Sequence, residues 1–224
     1  DRGDTIQTGI FEKLEDTDFL NNIELYSPKI NLLVKTAEEH PGIALIYSQF
    51  LNYGINLIVK LLEQKGYKDK YKLITGEINK DEVAKSIKII NSPENKNADI
   101  IKFVIISSTG AEGIDFKNIR SIHILEPYWH MSRILQIIGR GVRFRSHEDL
   151  EESERTVQPY VYLSVHGIEG NYEMTTDQYL WNKSVNNREL IESFYTAIKM
   201  AAVDCDAHYG KGCAKCRPSG RRLF

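Results

Sequence analysis

The chain has 224 residues, 42% of them hydrophobic and 27% charged, enough apolar surface for a packed core and too much for wholesale disorder. Its 29 Lys and Arg stand against 31 Asp and Glu, a net charge of −2, which argues against a uniformly basic nucleic-acid coat protein but leaves room for a local basic groove. No window approaches the roughly 18 consecutive apolar residues of a membrane helix, and the three cysteines, all between residues 205 and 216, form no disulfide framework and point to a reducing, intracellular compartment. The opening Asp1-Arg2-Gly3-Asp4 has neither Met nor a signal-peptide pattern, and we read the chain as a piece of a longer one.

Residues 1–27 read as a polar lead-in. Ser27-Pro28 then starts a helix, Ser as N-cap and Pro at the first helical position, with Ile30, Leu33, Val34 and Ala37 at helical spacing and Pro41-Gly42 as its stop. The apolar run Ile43–Tyr47 is a buried strand followed by Ser48-Gln49. Ile55, Leu57, Ile58, Leu61 and Leu62 mark a helix ending at Gly66. Tyr71–Ile74 is a second strand, followed by Thr75-Gly76. Val83, Ile87 and Ile90 define another helix, and residues 91–99 a loop. Phe103–Ile106 is the clearest strand and residues 121–125 another, with a helix between Met131 and Arg143. An acidic loop leads to a last strand over residues 157–165. Beyond Gly170, Ile191, Phe194, Ile198 and Ala201 recur at helical spacing, and from His208 on the tail carries five Lys or Arg and no acid.

Alternation of strands and helices predicts an α/β lobe over residues 28–168, a mostly parallel sheet flanked by helices. A helical extension and a short Cys-rich tail follow over residues 169–224. Ligands of such sheets sit past the carboxyl ends of the strands. Ser48-Gln49, Thr75-Gly76 and Ser107-Ser108-Thr109 all fall there.

Two segments carry chemistry. The first is Ser107-Ser108-Thr109-Gly110-Ala111-Glu112-Gly113-Ile114-Asp115, directly after a buried strand. Its glycines allow a tight turn and close approach, its hydroxyls and N–H groups suit phosphate oxygens, and Asp115 is an acceptor for a ribose hydroxyl. A plain strand-to-loop turn, with Asp115 capping the next element, accounts for it equally well. The second is Gln136-Ile137-Ile138-Gly139-Arg140-Gly141-Val142-Arg143. At about 100° per residue, Gln136, Arg140, Arg143 and Arg133 share one stripe about 80° wide opposite an apolar face. Arginines clustered without a carboxylate at i±4 are tolerated where an anion sits among them, and two glycines in a helix point to close packing or close approach. The alternative is a solvated charged face.

Together, about 21 residues apart, these segments resemble motifs V and VI of superfamily 2 helicases and translocases. Gln136, Gly139, Arg140 and Arg143 fit the Q-x-x-G-R-x-x-R of motif VI, and residues 108–115 fit motif V. Residues 43–50 are similar to motif IV, and Thr75-Gly76 to the short motif after it. Residues 122–129 and 139–147, with the long helix in 174–205, further resemble the helicases of large cytoplasmic DNA viruses, of the early-transcription-factor small subunit and nucleoside triphosphatase I type.

The resemblance implies a RecA-like second lobe of an ATP-dependent nucleic-acid translocase. Arg140 and Arg143 would reach the γ-phosphate, Gln136 would orient Arg140 or the nucleotide, and Gly113 and Asp115 would line the ribose. Ser48, Thr75, Gly76, Ser108 and Thr109 would hold the backbone of a single strand or one strand of a duplex. ATP and Mg²⁺ would be shared with an N-terminal lobe, because the chain has no G-x-x-x-x-G-K-[ST] loop, and Asp81-Glu82-Val83-Ala84 opens a helix instead of ending a strand. A viral RNA polymerase would be a partner, and the host cytoplasm or virion the location. The rival reading is a non-catalytic nucleic-acid- or polymerase-binding module of a transcription factor. Separately, Cys205, His208, Cys213 and Cys216 provide four ligands for tetrahedral zinc; incidental reduced thiols in a basic tail are the alternative.

Overall fold

The computed structural model describes residues 20–108, 113–166 and 173–201. Five parallel strands, β1 (Ile43–Tyr47), β2 (Tyr71–Ile74), β3 (Phe103–Ile106), β4 (Ile119–Ile124) and β5 (Gln158–Val161), form one sheet in the order β2-β3-β1-β4-β5. Every residue of β1 and β3 is buried, as expected of central strands covered on both faces, whereas β2 and β5 are half-buried edges.

Period-two alternation divides the core. Ala44, Ile46, Phe103 and Ile105 face one side and meet α2 (Pro28–Glu39) and α3 (Asn56–Gln64) through Leu33, Val34, Ala37, Ile58 and Leu62. Ile43, Leu45, Val104, Ile106, Ile122 and Ile124 face the other. They meet α4 (Lys80–Ile90), α5 (Met131–Gly141) and the start of α6 (Thr176–Ala201) through Ile90, Ile134, Ile137 and Trp181. A short helix, α1 (Ile23–Tyr26), adds Ile23 to the first cluster, so the residues just before Pro28 contribute to the core as well as leading into it.

Local signals explain most boundaries. Pro28 opens α2, but the Ser27 side chain makes no cap bond. Asn79 caps α4 by accepting from the Asp81 N–H at 3.0 Å, and Asp81 and Glu82 occupy the first turn, where acids favour the helix dipole. A π-helical turn, Leu51–Ile55, precedes α3. The last strand is shorter than the apolar run that announced it. The stripe Ile191, Phe194 and Ile198 on α6 is 46–63% exposed, and the helix packs on the lobe instead through Trp181, Val185 and the buried Ser184. Asp177 anchors the start of α6, accepting from Lys29 Nζ at 2.6 Å and from the Ser164 N–H at 2.7 Å. Among the described residues no helix is long and apolar enough to cross a membrane.

Candidate nucleotide and strand interface

The register brings the expected site residues to one edge. Ile74, Ile106, Tyr47 and Ile124 lie side by side across β2, β3, β1 and β4, so the residues that follow them emerge level with one another. Backbone bonds continue the ladder there: Ser107 N donates to Ile74 O at 3.2 Å, Ser48 N to Ile106 O at 3.3 Å and Leu125 N to Tyr47 O at 3.0 Å.

Not all of these residues face outward. Gly76 is exposed and Ser108 half-buried, but Thr75 and Ser48 are buried. The sequence reading made Ser48 a surface contact, whereas its hydroxyl points inward and donates to Glu126 Oε1 at 2.8 Å. Glu126 also accepts from the Gln49 N–H at 3.0 Å, and the Phe50 N–H donates back to Ser48 Oγ at 3.1 Å. A Cβ on Gly54 would lie 2.1 Å from that hydroxyl, so only glycine lets the π-helical turn close over it. Burial pushes the Glu126 carboxyl above the usual glutamate range, and its bonds to Ser48 and Gln49 pull it back. Glu126 falls within the virus-like run of residues 122–129, but no local pattern assigns it this role, because its partner lies 78 residues away.

The loop between β3 and β4 is pinned to α4 and α5. Asn91 at the end of α4 donates to Asp115 O at 3.0 Å and accepts from the Lys117 N–H at 2.8 Å. Phe116 is buried, and its N–H donates to Arg140 O at 3.2 Å. Gly113, at φ +75°, and Asp115 are both exposed. Thr109 lies outside the described residues.

Helix α5 carries the second segment. Met131, Ile134, Ile137 and Gly141 are buried, and a Cβ on Gly141 would meet Ile119 and Ile122 at 3.1 Å, so close packing against β4 explains this glycine. Gln136 lies exposed on the opposite face, with Arg140 half-buried beside it and its Nη1 3.5 Å from Ile114 O. The helix ends at Gly141, so Arg143 leaves the stripe that a continuous helix predicts. Ser146 turns the chain by accepting from the Arg143 N–H at 3.1 Å, and Arg143 Nη2 meets Asp115 Oδ1 at 2.8 Å. Arg140, Arg143, Gly113 and Asp115 thus gather on one rim of the sheet edge. An aromatic group follows β4: Tyr128, Trp129 and His130 pack edge on, and the Arg133 guanidinium lies 5.7 Å from the Tyr128 ring centre.

Cys205, His208, Cys213 and Cys216 lie outside the described residues. Among the described residues no group of three or more His, Cys, Asp or Glu is placed to hold a metal ion.

A parallel sheet whose carboxyl edge gathers two arginines, an acid and a glycine turn defines a RecA-like lobe. The chain belongs to the helicase conserved C-terminal domain family, whose model matches residues 28–145, just over half of its length. It is 32% identical over 253 residues to a termination factor NPH-I homolog of African swine fever virus, covering 90% of this chain and 36% of that protein. It is also 32% identical over 210 residues to a protein of Acanthamoeba polyphaga mimivirus whose name provisionally calls it an ATP-dependent RNA helicase, covering 88% and 36%. The chain therefore spans little more than a third of the length of these relatives. The solved C-terminal part of the Fun30 ATPase domain shares the fold with a TM-score of 0.50 at 17% identity, over 67% of this chain and 48% of that one.

Proposed function

We propose that this lobe forms one wall of an ATP cleft in a viral, transcription-associated nucleic-acid translocase, and that a preceding lobe supplies the phosphate loop. The observation that carries this reading is the convergence of Arg140 and Arg143 on the loop bearing Gly113 and Asp115. Arg143 and Arg140 neutralise charge that develops on the γ-phosphate, the role of an arginine finger. Gln136 orients Arg140 or the nucleotide, and Asp115, exposed beside Gly113, takes a ribose hydroxyl. Gly76, Ser108 and Thr109 hold the sugar–phosphate backbone of one strand, while the buried Ser48 and Thr75 shape the turns beneath. Contacts of this kind position a strand without reading its bases. Closure of the two lobes on ATP and their opening after hydrolysis move those contacts in steps. Among the described residues no group of three or more His, Cys, Asp or Glu is placed to hold a metal ion, and Mg²⁺ belongs with the nucleotide and the other lobe. The termination-factor name of the relatives makes a viral RNA polymerase the protein partner to seek, in the host cytoplasm or the virion.

The test compares this chain with a protein that carries both lobes. Alone, the chain releases no phosphate from ATP above background, with or without nucleic acid, and adding the preceding lobe restores strand-stimulated turnover. Strand-stimulated hydrolysis by the purified chain alone overturns the two-lobe reading.

The tail gives a separate prediction. If Cys205, His208, Cys213 and Cys216 bind zinc, protein purified under reducing conditions without chelator carries about one equivalent of metal. Cys213→Ser lowers that content without changing the melting of the lobe, which has its own core. Metal content near zero disposes of the site.

A further inference from the structure

Arg133 lies outside the motif-VI pattern, yet it faces the same cavity. Between α5 and the carboxyl ends of β1 and β3 is a space of about 380 Å³, lined by Tyr47, Ser108, Arg133, Gln136 and Arg140 over a floor of Ile106 and Ile137. That size lies near the lower end of ligand pockets, ~300–1,000 Å³. Arg133, Gln136 and Arg140 are three and four residues apart, so they stand in one row along α5, with the two arginines ~10 Å apart along the axis.

The Arg133 head is oriented by aromatic groups. Its Nη2 donates to the Tyr47 hydroxyl at 3.3 Å, and its guanidinium carbon lies 5.7 Å from the Tyr128 ring centre. Tyr47 is the last residue of β1 and is only 4% exposed, so it is a fixed post and not a mobile surface group. A planar guanidinium held this way loses little freedom when an oxyanion arrives and presents its N–H groups as a fork. The remaining polar lining adds an amide at Gln136 and a hydroxyl at Ser108. Donors predominate, and two of them are cationic. That chemistry suits a phosphate, whose several oxygens accept, better than a base edge, which mixes donors with acceptors.

We propose that this cavity seats a phosphate group, with Arg133 as its cation beside Arg140, Ser108 as a hydroxyl donor and Tyr47 as the positioning residue for Arg133. The proposal rests on the functional reading above and extends it to residues outside the motifs. The phosphate comes either from the backbone of the bound strand or from the nucleotide, and the test separates the two.

The 224-residue chain is titrated with fluorescein-labelled 12-nucleotide oligothymidylate and oligouridylate at several salt concentrations, and separately with Mg-ATP, for wild type, Arg133→Gln, Arg133→Lys and Tyr47→Phe. Loss of one charge-assisted contact weakens one of these ligands about tenfold in Arg133→Gln. If the strand supplies the phosphate, oligonucleotide affinity falls, its salt slope drops by ~0.7, and ATP affinity holds. If the nucleotide supplies it, ATP affinity falls and the oligonucleotide curves superimpose. Arg133→Lys, which keeps the charge without the planar fork, lies between wild type and Arg133→Gln. Tyr47→Phe, which changes one hydroxyl, shows a smaller loss for the same ligand and serves as the test should Arg133→Gln melt early. Unchanged affinity for both ligands in Arg133→Gln and Tyr47→Phe, with wild-type binding intact, overturns the cavity and leaves the functional reading standing. Wild-type protein that binds neither ligand, alone or with the preceding lobe added, overturns both.

Discussion

Replacing Arg143 by Ala in the protein that carries both lobes lowers ATP turnover by about three powers of ten and leaves nucleotide affinity within a few-fold, as expected of an arginine finger. Arg143 stands just past the end of α5, about half exposed, with Asp115 as its partner at 2.8 Å. An ion pair this open to solvent contributes ~0–1 kcal/mol, so it exchanges readily for a nucleotide and its loss does not threaten the fold. The melting temperature of the variant therefore stays close to wild type, and the turnover measured by phosphate release reports chemistry. Asp115→Asn, which removes the ion pair but not the arginine, keeps most of the turnover at saturating ATP and raises the ATP concentration needed to reach it, because the ribose contact is weakened. Arg143→Ala with wild-type turnover means that the arginine serves some other anion.

Much of this site was legible because it obeys local periodicities. The runs Ile43–Tyr47 and Phe103–Ile106 are apolar at every position because both faces of a central parallel strand are covered, and that placed the polar residues after them on the ligand edge. The spacing of Ile134, Leu135, Ile137, Ile138 and Val142 predicts the apolar face of α5 and hence the outward row of Arg133, Gln136 and Arg140, although only Ile134 and Ile137 of the five are buried and Leu135 and Val142 are exposed. What escaped were features made by partners distant in the chain. Whether Ser48 points in or out is decided by Glu126, and the aim of Arg133 by Tyr47, 86 residues earlier. Arg143 was placed on the helix because Val142 and Arg143 continue its pattern. The turn held by Ser146 ends the helix first and swings the guanidinium to Asp115. On α6 the spacing correctly marked a helix, but spacing alone does not say whether an apolar stripe finds a partner, and Phe194 is 62% exposed.

The largest effect on stability is expected at His123, next to the last residue of β4. Its ring is fully buried, with Nδ1 2.8 Å from the Tyr162 hydroxyl and Nε2 2.9 Å from Ser121 Oγ, and it stacks on Tyr160 at 5.1 Å. Burial, reinforced by the nearby His40 and Lys102, lowers its pKa from 6.5 to about 3. As pH falls through 6.5 the unfolded chain takes up a proton that the folded chain refuses, so the unfolded state binds more protons and stability declines from there down to about pH 3. At ~1.4 kcal/mol per pKa unit, the group removes about 4–5 kcal/mol over that window, a large share of the ~5–15 kcal/mol of an ordinary domain. His123→Gln keeps a donor and an acceptor for Tyr162 and Ser121 but does not titrate. It is less stable than wild type at pH 7, by about 1–3 kcal/mol, because the ring stack and the fitted hydrogen bonds are lost. Urea unfolding at pH 7, 6, 5 and 4 then shows the gap closing as the wild type weakens more steeply, and the order of the two reversing by pH 4. A stability difference that stays constant across those pH values means that the folded and unfolded chains bind the same protons throughout, so that the fold does not hold His123 neutral.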